Sequence, residues 1–290
     1  MRMLATEELS IMNRYGIKAI LLDFDGTLLQ NDQVFISLKN IEAIKRCVDS
    51  GIIIIPSTGR NADMFPPQID EIKDIRYWVT SNGARVIDRL NDEIIYQFTF
   101  TPDESSTIMK LFEGEGIYCE IAAEGKIFLE ADVASHVYDF KVPPHHVWYV
   151  GAKRPIAQAN LAEYFSKNGY GIEKLNFYDI KPDRFMSLKK QIEGLGFARI
   201  FGSKAPDIQC FPSRLDRAQA LEVLFERLGI SFADVMSIGD SELDSDLLRK
   251  SKLGVAVGNA SDEVKKISDY VTASNQDNGV ALAIEKFILD

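Results

Sequence analysis

The stretch Ala19-Ile20-Leu21-Leu22-Asp23-Phe24-Asp25-Gly26-Thr27-Leu28 decides the fold. Ala19 to Leu22 is a short apolar run without polar alternation, which predicts a strand buried on both faces, as in a parallel sheet. The run ends in two aspartates at i and i+2, and these positions share one face of an extended chain. Both carboxylates therefore project from the strand's C-terminal end into one small volume. Like charges held that close are unfavourable unless a cation or a shared proton compensates. Gly26 permits the turn that must follow. An isolated Asp-x-Asp is ordinary strand-to-loop chemistry. The complete element, strand included, points to a nucleophilic carboxylate, an acid/base carboxylate and a divalent cation brought together.

Residues 37–50 carry Leu38, Ile41, Ile44 and Val48 at near-helical spacing, with Ser37 placed as N-cap and Gly51 beyond the C-terminus. Ile52 to Ile55 is a β-branched run of the kind found in central parallel strands. Strand, helix and strand make one right-handed βαβ unit. Its second strand ends in Pro56-Ser57-Thr58-Gly59-Arg60, and ligands of such sheets bind outside the C-terminal strand ends. The Thr58 hydroxyl and free backbone N–H groups at the Thr58-Gly59 turn suit a phosphoryl oxygen beside Asp23 and Asp25. Tyr77 to Ala84 reads as a third strand closing in an Asn82-Gly83 turn with a left-handed residue.

Near the C-terminus, Asp216 is placed to cap a helix reaching about Leu228. Val235 to Ile238 reads as a strand ending at Gly239-Asp240, with Asp244 four residues on. Mg²⁺ takes oxygen ligands, commonly one or two carboxylates. Asp240, at a strand end next to Asp23, completes such a set, with Asp244 as an additional or outer ligand.

Between Arg85 and Phe211 the pattern changes to hairpins mixed with helices, which predicts an α+β antiparallel module. Residues 85–88 can pair with 93–100 around Leu90-Asn91-Asp92, and 117–122 with 126–130 around an Ala-Glu-Gly turn. Helices are expected over 104–112, 157–167 and 185–195, and short strands over 147–150, 172–177, 199–202 and 208–211. His145 and His146, after Pro143-Pro144, read as a surface loop rather than a metal pair. Tyr149, Lys153, Arg154 and Arg184 are within the range of residues that could meet a substrate, and nothing ranks them above ordinary surface residues.

The motifs themselves resemble those of the haloacid dehalogenase superfamily, and more narrowly its Cof-like members with a type-IIB cap. Asp23-Phe24-Asp25-Gly26-Thr27 is similar to the first motif, Thr58-Gly59-Arg60 to the second, and Gly239-Asp240 with Asp244 to the fourth. Gly258-Asn259-Ala260 and the spacing of Thr272, Asn275, Gly279 and Val280 fit as well. The resemblance implies an α/β fold: a doubly wound, Rossmann-like parallel-sheet core from residues 1–85 and 212–290, with an α+β cap at 86–211. It implies a Mg²⁺-dependent phosphatase that hydrolyses a small phosphomonoester, such as a sugar phosphate, through an aspartyl-phosphate intermediate. In that scheme Asp23 is the nucleophile and Asp25 the acid/base. Thr58, Gly59 and Arg217 bind the phosphoryl group, and Asp23, Asp240, Asp244 and the backbone carbonyl of Asp25 hold Mg²⁺. Two positions depart from the family pattern. Arg217-Ala218 stands where a Lys-Gly pair is usual, and a guanidinium supplies charge with a broader, forked geometry. Leu243 stands where an asparagine commonly touches phosphate, and the lost donor is worth ~1–3 kcal/mol. Two alternatives remain open: a phosphosugar mutase of the same superfamily, and a phosphometabolite-binding protein with weak or lost catalysis.

Composition narrows the partners. The 290 residues are 46% hydrophobic and carry a net charge of −10 without any basic block, which disfavours nucleic acid and anionic membranes as main partners. No apolar run approaches the roughly 20 residues that cross a bilayer. Cys47, Cys119 and Cys210 are far apart and read as reduced core residues of a cytoplasmic protein. Met1 to Tyr15, with Glu7 and Glu8, does not read as a signal peptide. The expected partner is a small phosphorylated metabolite, and the expected assembly a monomer or small homo-oligomer.

Overall fold

A computed structural model describes residues 15–70, 72, 74–152, 155–201 and 206–290. Residues 1–14, which carry most of the signal-peptide reading, and Lys153 and Arg154 lie outside the described residues.

The first βαβ unit is β1 (Ala19–Leu22), α1 (Leu38–Asp49) and β2 (Ile53–Pro56). Its strands pair in parallel, from Ala19 opposite Ile53 to Leu22 opposite Pro56. The Ser37 side chain caps α1 by accepting from the Asn40 N–H. After a short turn, α2 (Pro67–Asp70), comes β3 (Tyr77–Thr80), bridged in parallel to the end of β2 through Ser57 and Val79. Asn82 and Gly83 then adopt left-handed backbone, with φ of 56° and 91°, and reverse the chain. The returning β4 (Arg85–Asp88) and β5 (Glu93–Gln97) pair around Leu90-Asn91-Asp92 as read. They add to β3 as an antiparallel ribbon, however, and not to the inserted module in which the sequence had placed them. Buried Asp88 fastens the ribbon by accepting from Arg76 at 2.8 and 2.6 Å.

The middle of the chain runs α3 (Pro102–Met109), β6 (Tyr118–Ala123), β7 (Lys126–Glu130), α4 (Ala131–Ser135), α5 (Pro144–Gly151) and β8 (Ile156–Gln158). It continues with α6 (Leu161–Asn168), β9 (Lys174–Tyr178), α7 (Pro182–Glu193), β10 (Ala198–Phe201) and β11 (Ile208–Pro212). The strands form a separate sheet of order β10-β11-β9-β6-β7-β8, antiparallel except for β7 with β8. Ile108, Phe165, Leu188 and Ile192 pack against one face. The other face carries Tyr118, Ala122, Ile127 and Tyr149.

Two readings of this region are corrected. Residues 147–150 are helical rather than a strand, and His145 and His146 lie buried on that same helix, α5, instead of in a surface loop. Pro144 at the first helical position presets the turn. The buried pairs His145/His146 and Tyr149/Val150 then recur four residues apart, a helical period. The helix read over 157–167 starts only at Leu161, where Asn160 caps it, because the preceding residues pair with β7 as β8.

The chain returns through α8 (Arg217–Leu228), β12 (Val235–Gly239), α9 (Ser245–Lys250), β13 (Leu253–Ala256), α10 (Asp262–Ile267), β14 (Tyr270–Val271) and α11 (Gly279–Ile284). The parallel sheet has order β14-β13-β12-β1-β2. Ile20 and Leu22 of β1 face a core shared with α1 and α11, through Ile44 and Ile284. Ala19 and Leu21 face the opposite layer, with Leu221 and Leu224 of α8. Both faces are covered, as the doubly wound reading requires. The strand order reverses at β1, which lies between β2 and β12, and the crevice at such a point is where ligands of open α/β sheets bind. The three cysteines are buried and unpaired. Among the described residues no helix is long and apolar enough to cross a membrane.

Candidate active site

Asp23 leaves β1 in extended conformation, and its N–H donates to the Ile238 carbonyl of β12 at 3.2 Å. This places the carboxylate against the C-terminal end of the neighbouring strand, where Asp240 and Asp244 follow. One oxygen from each of Asp23, Asp240 and Asp244 lies within 4.8 Å of the others. Crowding and burial act together on these acids. Asp23 is pushed well above the usual carboxylate range, first by desolvation and then by Asp244 and Asp240. Asp240 is pushed up to about 7, by desolvation and then by Asp244, although the Thr27 hydroxyl donates to it at 3.1 Å. A hard divalent cation removes both penalties, so the donor set fits Mg²⁺. The cradle is tight: a Cβ on Gly26, whose φ is +82°, would stand 2.5 Å from Asp240 Oδ2. Gly26→Ala is therefore expected to weaken Mg²⁺ binding by about tenfold or more, measured by calorimetry, because both the backbone and the carboxylate must move.

Asp244 also organises its own loop. Its Oδ2 accepts from the Ser241 N–H and hydroxyl at 3.2 and 2.9 Å, and its Oδ1 accepts from Arg217 at 3.1 Å. Arg217 opens α8 behind the Asp216 cap. Its guanidinium also donates to the Ser57 hydroxyl at 3.0 and 2.8 Å and to the Ser57 carbonyl. A single cation thus ties the ends of β2 and β12 to the start of α8. Gly83 packs on the Arg217 backbone so closely that a Cβ there would meet Cα at 2.8 Å.

Asp25 sits apart from the carboxylate cluster. Its two oxygens accept from Arg60 Nε and Nη2 at 2.8 and 2.5 Å. Arg60 is itself buried and donates further to the Met64 and Gln33 carbonyls. Thr58 is buried at the end of β2, where its hydroxyl accepts from the Arg60 N–H at 3.2 Å. Its own N–H is not free, as the sequence reading supposed, but donates to Val79.

One cavity of about 450 Å³ is lined by Asp23, Asp25, Thr58, Gly59, Arg217 and Asp244. The sequence profile of haloacid dehalogenase-like hydrolases matches residues 20–284. The chain belongs to that family. It is 29% identical, over 94% of its length and 96% of the relative's, to the 5-amino-6-(5-phospho-D-ribitylamino)uracil phosphatase YcsE of Bacillus subtilis. The crystal structure of a haloacid dehalogenase-like hydrolase from Bacteroides thetaiotaomicron shares its fold. The TM-score is 0.79 and the identity 24%, over 93% of this chain and 99% of the other. The subclass IIB sugar phosphatase BT4131 shares the fold with a TM-score of 0.71 at 23% identity, over 93% and 98% of the two chains.

For a haloacid dehalogenase-like hydrolase the cavity has a wall the sequence did not reveal. His145, Lys174, Asn176, Tyr178 and Asp207, all from the six-stranded-sheet module, line it opposite the sheet. Lys174 reaches across to donate to the Gly59 carbonyl at 2.5 Å, and burial pulls its ammonium down to about 8. The preceding Glu173, fully buried, accepts from the Ser81 hydroxyl at 2.7 Å and from Arg85 at 3.3 Å. Of the residues considered for substrate contact, Tyr149 lies in the module's own apolar core and Arg184 pairs with Glu115 at 2.6 Å on the surface. Leu243, the departure noted above, does line the cavity.

Proposed function

We propose that the chain is a Mg²⁺-dependent phosphatase that hydrolyses a small phosphomonoester by way of an aspartyl phosphate on Asp23. The phosphatase class follows from the family and from relatives that carry that name along almost the whole chain. The observation that carries the finer reading is the convergence of Asp23, Asp240 and Asp244 at the adjoining ends of β1 and β12, with Asp25 lining the same cavity as Asp23 and Asp244.

In this scheme Asp23 attacks phosphorus in line, forming a P–O bond while the bond to the substrate alcohol breaks. Asp25 gives its proton to that departing oxygen, then takes one from the water that displaces Asp23 and releases inorganic phosphate. The Arg60 pair holds Asp25 in the cavity lining, and the carboxylate must turn from the guanidinium to do either. Thr58 and Arg217 are the donors for the phosphoryl oxygens, placing fixed charge where charge develops. Asp23, Asp240 and Asp244 would hold Mg²⁺, with the Asp25 carbonyl as a further oxygen. The chemistry the ion supplies is neutralisation of the phosphoryl group and of the nucleophile. The module bearing His145 and Lys174 serves as the cap, closing the cavity from water and meeting the leaving group. The direct test is phosphate release from p-nitrophenyl phosphate with and without Mg²⁺. No release above background in either condition would overturn the reading.

The acids also set a pH dependence. The folded pKa of Asp240 lies above its unfolded value, so the metal-free fold keeps a proton that the unfolded chain releases between pH 4 and 7. Metal-free stability then falls as pH rises through that window. Protons compete with the cation in the same range, so Mg²⁺ should bind ~10-fold more weakly at pH 6 than at pH 8. The rise in thermal midpoint on adding Mg²⁺ should accordingly be larger at pH 8. Equal shifts at both pH values would contradict the assignment.

A further inference from the structure

The phosphoryl end of the cavity is short of free donors. Each nitrogen of the Arg217 guanidinium already donates, to Ser57 or to Asp244. Leu243, where an asparagine is usual, offers no donor at all. Asn82 stands with these two: all three line the site cavity and also a second one of about 440 Å³. The Asn82 side chain is 7% exposed, and its Nδ2 is buried without a hydrogen-bond partner. A buried amide donor left unmade is unfavourable, so the fold carries here a group that a ligand completes.

Its placement is fixed from several sides. The Asn82 N–H donates to the Thr58 carbonyl and the Ser81 N–H to the Arg60 carbonyl, both at 3.0 Å, which ties this loop to the Thr58-Gly59 turn. The amide lies against Gly59, where a Cβ would meet Oδ1 at 3.1 Å and Nδ2 at 3.3 Å. From the six-stranded-sheet module, Glu173 accepts from the Ser81 hydroxyl at 2.7 Å and from the Gly125 N–H at 3.1 Å.

These contacts hold Ser81, Asn82 and Gly83 in three successive left-handed conformations, with φ of 51°, 56° and 91°. Backbone of this kind persists in residues other than glycine only where the surroundings over-determine it, and it clusters where a side chain must be aimed. The torsion that orients a terminal amide is soft. A small rotation therefore brings Nδ2 from Gly59 to an oxygen seated at the Thr58-Gly59 turn.

We infer that Asn82 is a phosphoryl-binding residue: its NH₂ group donates to an oxygen of the transferring phosphoryl group, in the place that Leu243 leaves without a donor. The inference rests on the phosphatase reading and adds a residue to its phosphoryl site.

Calorimetric binding of inorganic phosphate in the presence of Mg²⁺, together with kcat/KM for p-nitrophenyl phosphate, tests it. The proteins compared are the wild type, Asn82→Gly, Leu243→Asn and the double variant. Glycine takes the left-handed backbone freely, so Asn82→Gly removes the amide without straining the loop. A donor to a charged oxygen is worth about tenfold or more. Asn82→Gly should weaken phosphate binding by that factor and lower kcat/KM by at least as much. The thermal midpoint of the ligand-free protein should stay close to that of the wild type, because Nδ2 bonds nothing in the fold. Leu243→Asn should strengthen phosphate binding less than about threefold in the wild type, where Asn82 already fills the place, and about tenfold in Asn82→Gly.

Unchanged phosphate affinity and kcat/KM in Asn82→Gly would overturn the inference. So would equal gains from Leu243→Asn in both backgrounds, or a loss in Asn82→Gly that comes with a markedly lower midpoint. Should Asn82→Gly fail to fold, Leu243→Asn alone decides, and a gain of about tenfold in the wild type would overturn the inference. Turnover that Asn82→Gly leaves intact would remove Asn82 and keep the phosphatase. Phosphate binding that depends on Asn82, without turnover by the wild type, would do the reverse. A wild type that neither binds phosphate nor releases it from the ester would overturn both.

Discussion

Replacing Asp23 with asparagine is expected to lower Mg²⁺-dependent phosphate release by at least ~10³-fold while leaving the fold intact. An amide has nearly the same shape but neither the nucleophilic oxygen nor the charge. The stability effect has the opposite sign. Asp23 is held well above its ordinary pKa by desolvation and by two neighbouring acids, so its ionised form opposes folding at neutral pH in metal-free protein. Removing it should raise the metal-free thermal midpoint above that of the wild type and shrink the further rise produced by Mg²⁺. A drop in activity accompanied by a lower midpoint would mean that Asp23 is structural, and retained turnover would sink the covalent mechanism.

Arg217→Met should give the largest loss of stability. The side chain is 11% exposed and its partner Asp244 6%, so the substitution strands a buried carboxylate and both polar groups of Ser57. Breaking such a pair costs about 3 kcal/mol or more, which for a chain of this size lowers the thermal midpoint by roughly 6 °C. Phosphate release should fall at least ~100-fold if the same cation serves, as proposed, as the fixed donor for the phosphoryl oxygens. Arg217→Lys restores the residue type usual in the family and separates the two duties. An ammonium keeps the charge but cannot fork between Ser57 and Asp244. It should therefore recover more activity than stability. Identical midpoints and rates in all three proteins would show that the guanidinium geometry is incidental.

The legible part of this protein is the part encoded locally. Ala19 to Asp25 declares a buried strand and its two acids within seven residues, and the run up to Asp240 does the same. Their neighbourhood follows from one topological rule about parallel strands. The role of Arg60 is illegible in its own motif, because its partner Asp25 lies 35 residues away and only the fold aligns the fork with both oxygens. The far wall was illegible for a related reason. Lys174 meets Gly59 across 115 residues, and Glu173 meets Ser81 across 92. The helix bearing His145 could have been found. Counting histidine as half-apolar makes 145, 146, 149 and 150 a helical stripe, whereas counting it as polar leaves only the run 147–150, which mimics a strand. The pairing of β4 with β5 is legible locally, whereas their addition to β3 is not, since nothing in a hairpin's own residues says which sheet it will extend.

The central position of β1 has a consequence for how the chain is made. Its two edges are filled by β2, which follows within a few dozen residues, and by β12, which is synthesised only after the whole intervening module. While the ribosome is still adding that module, the wholly apolar β1 has one edge of unpaired amides and carbonyls, the kind of template that recruits other chains. The module can bury its principal core meanwhile. The catalytic half must wait, so the acids of β1 and β12 meet as the last third of the chain leaves the ribosome, and hydrolytic competence arrives late in translation.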